Sequence, residues 1–316
     1  MSRRTLPALA LAVTLALAAT LAAGCAETRT PAAAAPASTG SASTAPAPAR
    51  TANVYRFKIG ALDAVALYDG AFRMPNDGKT FGVDEGAERV GAVLRAAGLP
   101  SDSLGLSVNV LLVRTGERLF MIDTGNGPGA AGRLPASLRE AGIAPADVTD
   151  IVITHGHGDH VGGLVGADGA AAFPGARVHM TAAEWAAVRP SPRAAAVVAA
   201  VGARVVTFAP GATLAPGITA VDVRGHTPGH TAVLVESGGQ RLIAIGDAAH
   251  HYVVSLREPE FTLAYDADAP TAEASRRALL TRAVDERLTV YAPHFPYPGV
   301  GTVRREGDGF AWVPRP

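Results

Sequence analysis

Ile151-Val152-Ile153-Thr154-His155-Gly156-His157-Gly158-Asp159-His160-Val161-Gly162-Gly163 is a β-branched apolar run that ends in a loop of three histidines, one aspartate and several glycines. The run reads as a buried strand, and the polar side chains then sit in the loop leaving its C-terminal end. Side chains placed there converge on a point beyond the sheet edge, and the glycines let the backbone bend tightly around it. A lone histidine is usually an exposed or hydrogen-bonded side chain. Three with an aspartate inside six residues point to a metal. Imidazole and carboxylate suit borderline or hard divalent ions such as zinc, manganese, iron or cobalt. The composition leaves little else to hold one: the chain has nine His and a single Cys. One thiol closes no intramolecular disulfide and builds no multi-thiolate zinc or iron–sulfur site.

Outward from this loop, β-prone runs recur at Val54–Ile59, Ala64–Tyr68, Val108–Val113 and Leu119–Ile122, divided by Gly, Asp and Asn turn signals. Further strands are expected at Asp150–Thr154, Arg177–Met180, Thr219–Val223, Thr231–Glu236, Arg241–Ile245 and Leu288–Tyr291. Helical periodicity with charged outer faces marks Gly86–Ala97, Leu134–Ala141, Ala182–Val188 and Thr271–Val284. Strands and helices alternate in two successive blocks, which predicts a mixed α/β layered domain and not an all-β sandwich.

His155-Gly-His157-Gly-Asp159-His160 resembles the His-x-His-x-Asp-His signature of the metallo-β-lactamase superfamily. The resemblance continues through Gly225-His226-Thr227-Pro228-Gly229-His230, Ile245-Gly246-Asp247 and Ala292-Pro293-His294, with Ser107-Val108-Asn109 and Ile122-Asp123-Thr124-Gly125 also fitting. It implies a four-layer αβ/βα sandwich with metals at the sheet edges. It implies two divalent ions, zinc foremost: His155, His157 and His226 on one, Asp159, His160 and His294 on the other, and Asp247 with a hydroxide between them. Two such ions lower the pKa of a bridging water, so a nucleophile exists near neutral pH without a side chain supplying it. The chain accordingly carries no Gly-x-Ser-x-Gly elbow.

By the same resemblance Asp123 is a buried structural aspartate, and His230 is a hydrogen-bond partner of the ligands. His179 reads as an ordinary, partly buried histidine. Lactonases of the superfamily carry a tyrosine three residues after the bridging aspartate, where this chain has His250. His250 is therefore a candidate catalytic group that would hydrogen-bond the substrate oxygen or protonate a leaving group, with a plain loop role for it or His251 as the alternative.

His294-Phe295-Pro296-Tyr297-Pro298-Gly299, Arg304-Arg305-Glu306-Gly307 and Phe310-Ala311-Trp312-Val313-Pro314 are similar to the ending of the methyl parathion hydrolase-like group, which includes lactonases and arylesterases. This resemblance implies hydrolysis of a neutral small molecule, a lactone or aryl ester, with phosphotriesters as a further class. Glyoxalase II-type thioester hydrolysis is the alternative, followed by β-lactam hydrolysis and by a non-catalytic metal-binding envelope protein. Trp185, Phe295 and Tyr297 are the candidate lining of an apolar substrate pocket. The matched group includes dimers, so a homodimer is an open expectation.

The N-terminus reads differently. Arg3 and Arg4 precede an apolar run from Leu6 to Ala23, which describes an export signal over residues 1–25. Leu21-Ala22-Ala23-Gly24-Cys25 resembles a bacterial lipoprotein signal, with Ala22 where that family carries Leu, and implies a lipid anchor at Cys25 in the cell envelope, with ordinary signal cleavage and a periplasmic location as the alternative. Residues 26–51 hold no Leu, Ile, Val, Met or aromatic side chain and read as a disordered linker to a domain at 52–316. The 28 basic and 28 acidic side chains balance to zero net charge. Without Arg3, Arg4, Arg29, Arg50 and Glu27 the domain is mildly acidic, which argues against nucleic-acid binding and favours neutral substrates.

Overall fold

The computed structural model describes residues 51–315. The export signal, Cys25 and the linker up to residue 50 lie outside the described residues. Thr51 is tied down, its hydroxyl donating to Glu140 and its N–H to the Val54 carbonyl. Among the described residues no helix is long and apolar enough to cross a membrane.

Two seven-stranded sheets form the middle of the domain, each with its strands in chain order. The first holds β1 (Val54–Ile59), β2 (Leu62–Pro75), β3 (Ser103–Thr115), β4 (Arg118–Ile122), β5 (Asp150–Val152), β6 (Arg177–Thr181) and β7 (Val205–Phe208). The second holds β8 (Thr213–Ala215), β9 (Ile218–Asp222), β10 (Thr231–Ser237), β11 (Gln240–Ala244), β12 (Thr289–Tyr291), β13 (Val300–Glu306) and β14 (Gly309–Pro314). Each sheet opens on antiparallel hairpins and then turns parallel, at β4 to β7 and at β11 to β12. Parallel neighbours need crossover connections. These carry α2 (Leu134–Glu140), α3 (Gly158–Val161), α4 (Ala182–Val188) and α5 (Ala195–Val201) in the first half, and α6 (Val254–Arg257) and α7 (Ala269–Asp285) in the second. One more helix, α1 (Gly86–Ala96), lies between β2 and β3.

The apolar runs of the central strands are continuous because both faces are buried, and the period of two assigns the faces. Leu111, Val113, Phe120, Ile122 and Val152 pack between the sheets against Val233, Val235, Leu242 and Ala244. Their chain neighbours Val110, Leu112, Leu119, Met121 and Ile151 face outward against Leu134, Leu138, Val188 and Val197 of the first helical layer. On the far side Ala232, Leu234, Ile243 and Ile245 pack against Leu279, Leu280 and Ala283 of α7. This gives the helix–sheet–sheet–helix order expected of the four-layer sandwich.

All ten expected strands and all four expected helices are present. Four strands were not anticipated, β7, β8, β13 and β14, and β2 runs on to Pro75. β7 and β8 are three or four residues long and only partly buried, so they lack the apolar alternation that marks a buried strand. β13 ends in Arg304, Arg305 and Glu306, whose charges mask its pairing with β14. The charged face expected on α7 also has an exception, because Arg276 lies inside, 2% exposed.

Candidate metal centre

The chain leaves the ends of β4, β5, β9, β11 and β12 at one place, and the loops there carry Asp123, His155 to His160, His226, Asp247 and His294. After β5 the backbone reaches His155, and the single turn of α3 then turns Asp159 and His160 back inward. His155, His157, His226 and Asp247 offer ligand atoms that all lie within 4.8 Å of one another, and Asp159, His160 and His294 form a second such group. Asp247 joins the two. Its Oδ2 faces His155 Nε2 at 3.5 Å and His226 Nε2 at 3.4 Å, and its Oδ1 faces Nε2 of His160 and of His294 at 3.1 Å each. All seven residues expected as ligands are thus brought together.

Whether they fit metal ions is decided by the protons on their outer nitrogens. His160 Nδ1 donates to Asp123 Oδ2 at 2.9 Å, His226 Nδ1 to Asp266 Oδ1 at 2.8 Å, and His294 Nδ1 to the Ser107 carbonyl at 2.8 Å. The Thr154 hydroxyl spends its proton on Asp123, so at 3.1 Å it accepts from His155 Nδ1. In each neutral ring Nε2 is then a bare lone pair. These lone pairs face one another: His155 and His226 Nε2 stand 3.1 and 3.0 Å from His157 Nδ1, and His160 and His294 Nε2 stand 3.3 Å apart. Lone pairs at such distances repel unless a cation lies between them. Ligands about 2.0–2.1 Å from a tetrahedral zinc ion would lie roughly 3.3 Å from each other, so the spacing fits.

The same demand for positive charge shows in the titration of the rings. Burial pushes His160, His226 and His294 down, but Asp247 with Asp123, Asp266 or Asp159 overcomes it, raising all three and bringing His226 to about 9. His155 and His157 are held low by burial and by neighbouring imidazoles, His157 at about 4. Asp247 is buried, yet the surrounding histidines, led by His160, hold its carboxyl well below the usual range.

Around the ligands stands a rigid frame. Asp123 adopts a left-handed backbone, φ 59°, and its carboxylate accepts from Thr154 N–H, the Thr154 hydroxyl and His160. That is the structural role expected of it. His230 donates from Nδ1 to the Val223 carbonyl and accepts the Asp247 N–H at Nε2, 3.0 Å, so it aims Asp247 and lies outside both groups of candidate ligands. Gly246, at φ 52°, lets the chain pass: a Cβ there would come within 2.5 Å of His230 Nε2. Asn109 donates to the Pro293 and Phe295 carbonyls on either side of His294.

Three supporting residues were not anticipated. Glu184 accepts from Gly156 N–H, the Thr227 hydroxyl and Gly229 N–H, tying together two ligand loops. Thr181-x-x-Glu184 matches a helix-capping signature, which hides this inward use of the carboxylate. Asp266 holds His226 and takes Arg276 Nη2 at 3.0 Å. Arg276 in turn donates to the carbonyls of Ala248, Pro259 and Phe261. Asp266 lies in Tyr265-Asp-Ala-Asp, where nothing separates it from a turn aspartate, and Arg276 shares a helix with Arg277 and Arg282.

A cavity of about 320 Å³ opens onto the centre, lined by His157, Asp159, Asp247, His250 and His294 and walled by Phe72, Met74, Phe81, Leu106, Tyr265 and Arg193. His250 is buried, its Nε2 is 3.0 Å from Asp247 Oδ2, and neither ring nitrogen has an aligned hydrogen-bond partner. The aromatic lining differs from expectation. Phe295 is fully buried beside Trp312, Tyr297 packs edge-on to Tyr68, and Trp185 packs on the outer helical layer. None of the three lines this cavity; its apolar wall comes from β2, β3 and the loops around Phe81 and Tyr265. His251 Nδ1 accepts from Val253 and Val254 N–H at the start of α6, and His179 pairs with Asp150, so both are structural.

A layered sandwich with imidazoles and carboxylates gathered at its strand ends defines the class of metal-dependent hydrolases. Residues 104–294 match the profile of the Metallo-beta-lactamase superfamily, and the chain belongs to that superfamily. A protein of Mycobacterium tuberculosis described as a probable metallo-hydrolase is 28% identical over 241 residues, covering 61% of this chain and 76% of that one. Among solved structures, AidC, described as a dizinc quorum-quenching lactonase, aligns with a TM-score of 0.79 at 26% identity over 84% of this chain and 98% of its own. The hydrolase AbOPH aligns at 0.75, also 26% identical, over the same shares of the two chains.

Proposed function

We propose that this protein is a dinuclear metal hydrolase acting on neutral ester-like bonds, with lactones and aryl esters preferred and phosphotriesters as a secondary class. The observation that carries this reading is Asp247, whose two carboxylate oxygens each face a separate set of histidines. His155, His157 and His226 would hold one ion, Asp159, His160 and His294 the other, zinc being the best match to the donor set. Bound there, the pair would supply an activated water and polarise the scissile oxygen.

The chain's own residues do the rest. Asp123, Asp266 and Ser107 keep the outer protons of His160, His226 and His294 in place, so their inner lone pairs stay aimed at the centre. Phe72, Phe81 and Leu106 form an apolar wall that excludes water from the substrate. His250, buried and unspent, is positioned to hydrogen-bond the substrate oxygen or the leaving group. The likeness to AidC supports the lactone preference.

The test is a substrate panel on purified protein loaded with zinc, manganese or cobalt: an acyl-homoserine lactone, dihydrocoumarin, phenyl acetate, methyl paraoxon, S-lactoylglutathione and nitrocefin. Turnover of the first three ahead of the rest is expected. Turnover of S-lactoylglutathione alone would move the assignment to thioesters, and no turnover with less than one ion per chain would end the enzyme reading.

A further inference from the structure

We propose that Arg193 is a substrate-anchoring residue that selects esters bearing an anionic substituent remote from the scissile bond. The proposal rests on the hydrolase reading and narrows its substrate class: the bond cleaved stays neutral while its carrier is charged. Arg193 lines the 320 Å³ cavity at the metal centre and also a second cavity of about 340 Å³, lined by Ser191 and Thr227 among others. His157, Gly158 and Arg193 are common to both, so Arg193 stands where they meet. It is the only Lys or Arg in either lining.

No described residue pairs with its guanidinium. The nearby carboxylates are engaged: both Glu184 oxygens accept from the loops at Gly156 and Gly229, and Asp159 faces His160 and His294. The backbone that carries it is fixed, while the side chain itself is exposed. Pro190 and Pro192 fix the backbone on either side of Ser191, the Ser191 and Ala194 N–H groups close turns at 3.0 Å, and Ala194 is anchored in the core. The planar fork of Arg193 matches a carboxylate or sulfonate with two parallel hydrogen bonds. The remaining wall, Phe72, Phe81, Met74 and Leu106, is apolar and suits an aryl or alkyl body. An anion on the substrate would meet this exposed guanidinium where the two cavities join.

Two esters of one frame test this on the metal-loaded full chain: phenyl acetate, and 4-acetoxybenzenesulfonate, whose sulfonate is a weak metal ligand. The ratio of kcat/KM, charged over neutral, is compared across wild type, Arg193→Met and Arg193→Lys. One exposed charge pair lost corresponds to about a two- to fivefold fall of that ratio in Arg193→Met, carried by KM, with part of it restored in Arg193→Lys. Salt at about 0.5 M is expected to lower the ratio in wild type and leave it unchanged in Arg193→Met. Benzenesulfonate binding by calorimetry gives a readout without turnover, expected to weaken by about the same factor in Arg193→Met. Equal ratios and equal benzenesulfonate affinities in wild type and Arg193→Met would overturn the assignment. If these esters and the rest of the panel are not turned over and less than one ion is held per chain, while benzenesulfonate binding still depends on Arg193, the anchor stands and the hydrolase reading falls.

Discussion

Asp266→Ala should loosen the metal centre without touching a ligand. Asp266 Oδ1 takes the Nδ1 proton of His226 at 2.8 Å, which leaves His226 Nε2 unprotonated toward the centre. Its Oδ2 takes Arg276 at 3.0 Å, and Arg276 is 2% exposed. Removing the carboxylate frees the His226 ring and lowers its basicity, a change that typically costs 10–100-fold in metal affinity, roughly 1.4–2.7 kcal/mol. It also leaves the Arg276 guanidinium buried beside carbonyls alone, at about 3–5 kcal/mol of fold stability. Asp266→Asn separates the two effects, because an amide oxygen still accepts from His226 while the charge is gone; it should fall near the tenfold end for metal. Zinc competition against a chromophoric chelator reads the affinity, and unfolding midpoints of metal-loaded and metal-stripped protein read the stability. Asp266→Ala binding zinc within about twofold of wild type would refute the claim that Asp266 orients a ligand, given the 10–100-fold range such partners command.

Other consequences follow from single residues. His250→Ala should lower kcat by about 10²-fold or more with metal content unchanged, since general acid–base groups contribute in that range; an unchanged rate would return His250 to the loop. Burial pushes the Asp150 carboxyl up, but hydrogen bonds from Arg118, His179 and Thr149 hold it well below the usual range. A depressed folded pKa contributes stability above the unfolded value, about 3.9, and loses it as pH falls toward the folded value. Asp150→Asn should therefore destabilise at neutral pH, by about 3 kcal/mol, and flatten the loss of stability below pH ~4, read from urea midpoints across pH.

The central strands were legible because they are buried on both faces: Val110–Val113 and Leu119–Ile122 carry the unbroken apolar runs of a sandwiched sheet. The candidate metal ligands were legible because imidazoles and carboxylates cluster within short, glycine-bracketed segments. What supports them was not. Glu184, Asp266 and Arg276 reach the centre from helices and loops distant in sequence, and each looks locally like an ordinary cap, turn or surface charge. The substrate wall was misplaced for a related reason. Phe295 and Tyr297 adjoin His294 in the chain, yet the backbone turns them into the core, while Phe72 and Tyr265 arrive from elsewhere and remain exposed at the rim.

The central claim is that Asp247 joins two metal positions. Metal content of purified, zinc-reconstituted protein, measured by elemental analysis for wild type and Asp247→Asn beside circular dichroism, tests it most directly. Two ions per folded wild-type chain are expected, with a folded Asp247→Asn retaining fewer and hydrolysing no lactone. A folded Asp247→Asn that keeps two ions and turns over near the wild-type rate would contradict the claim.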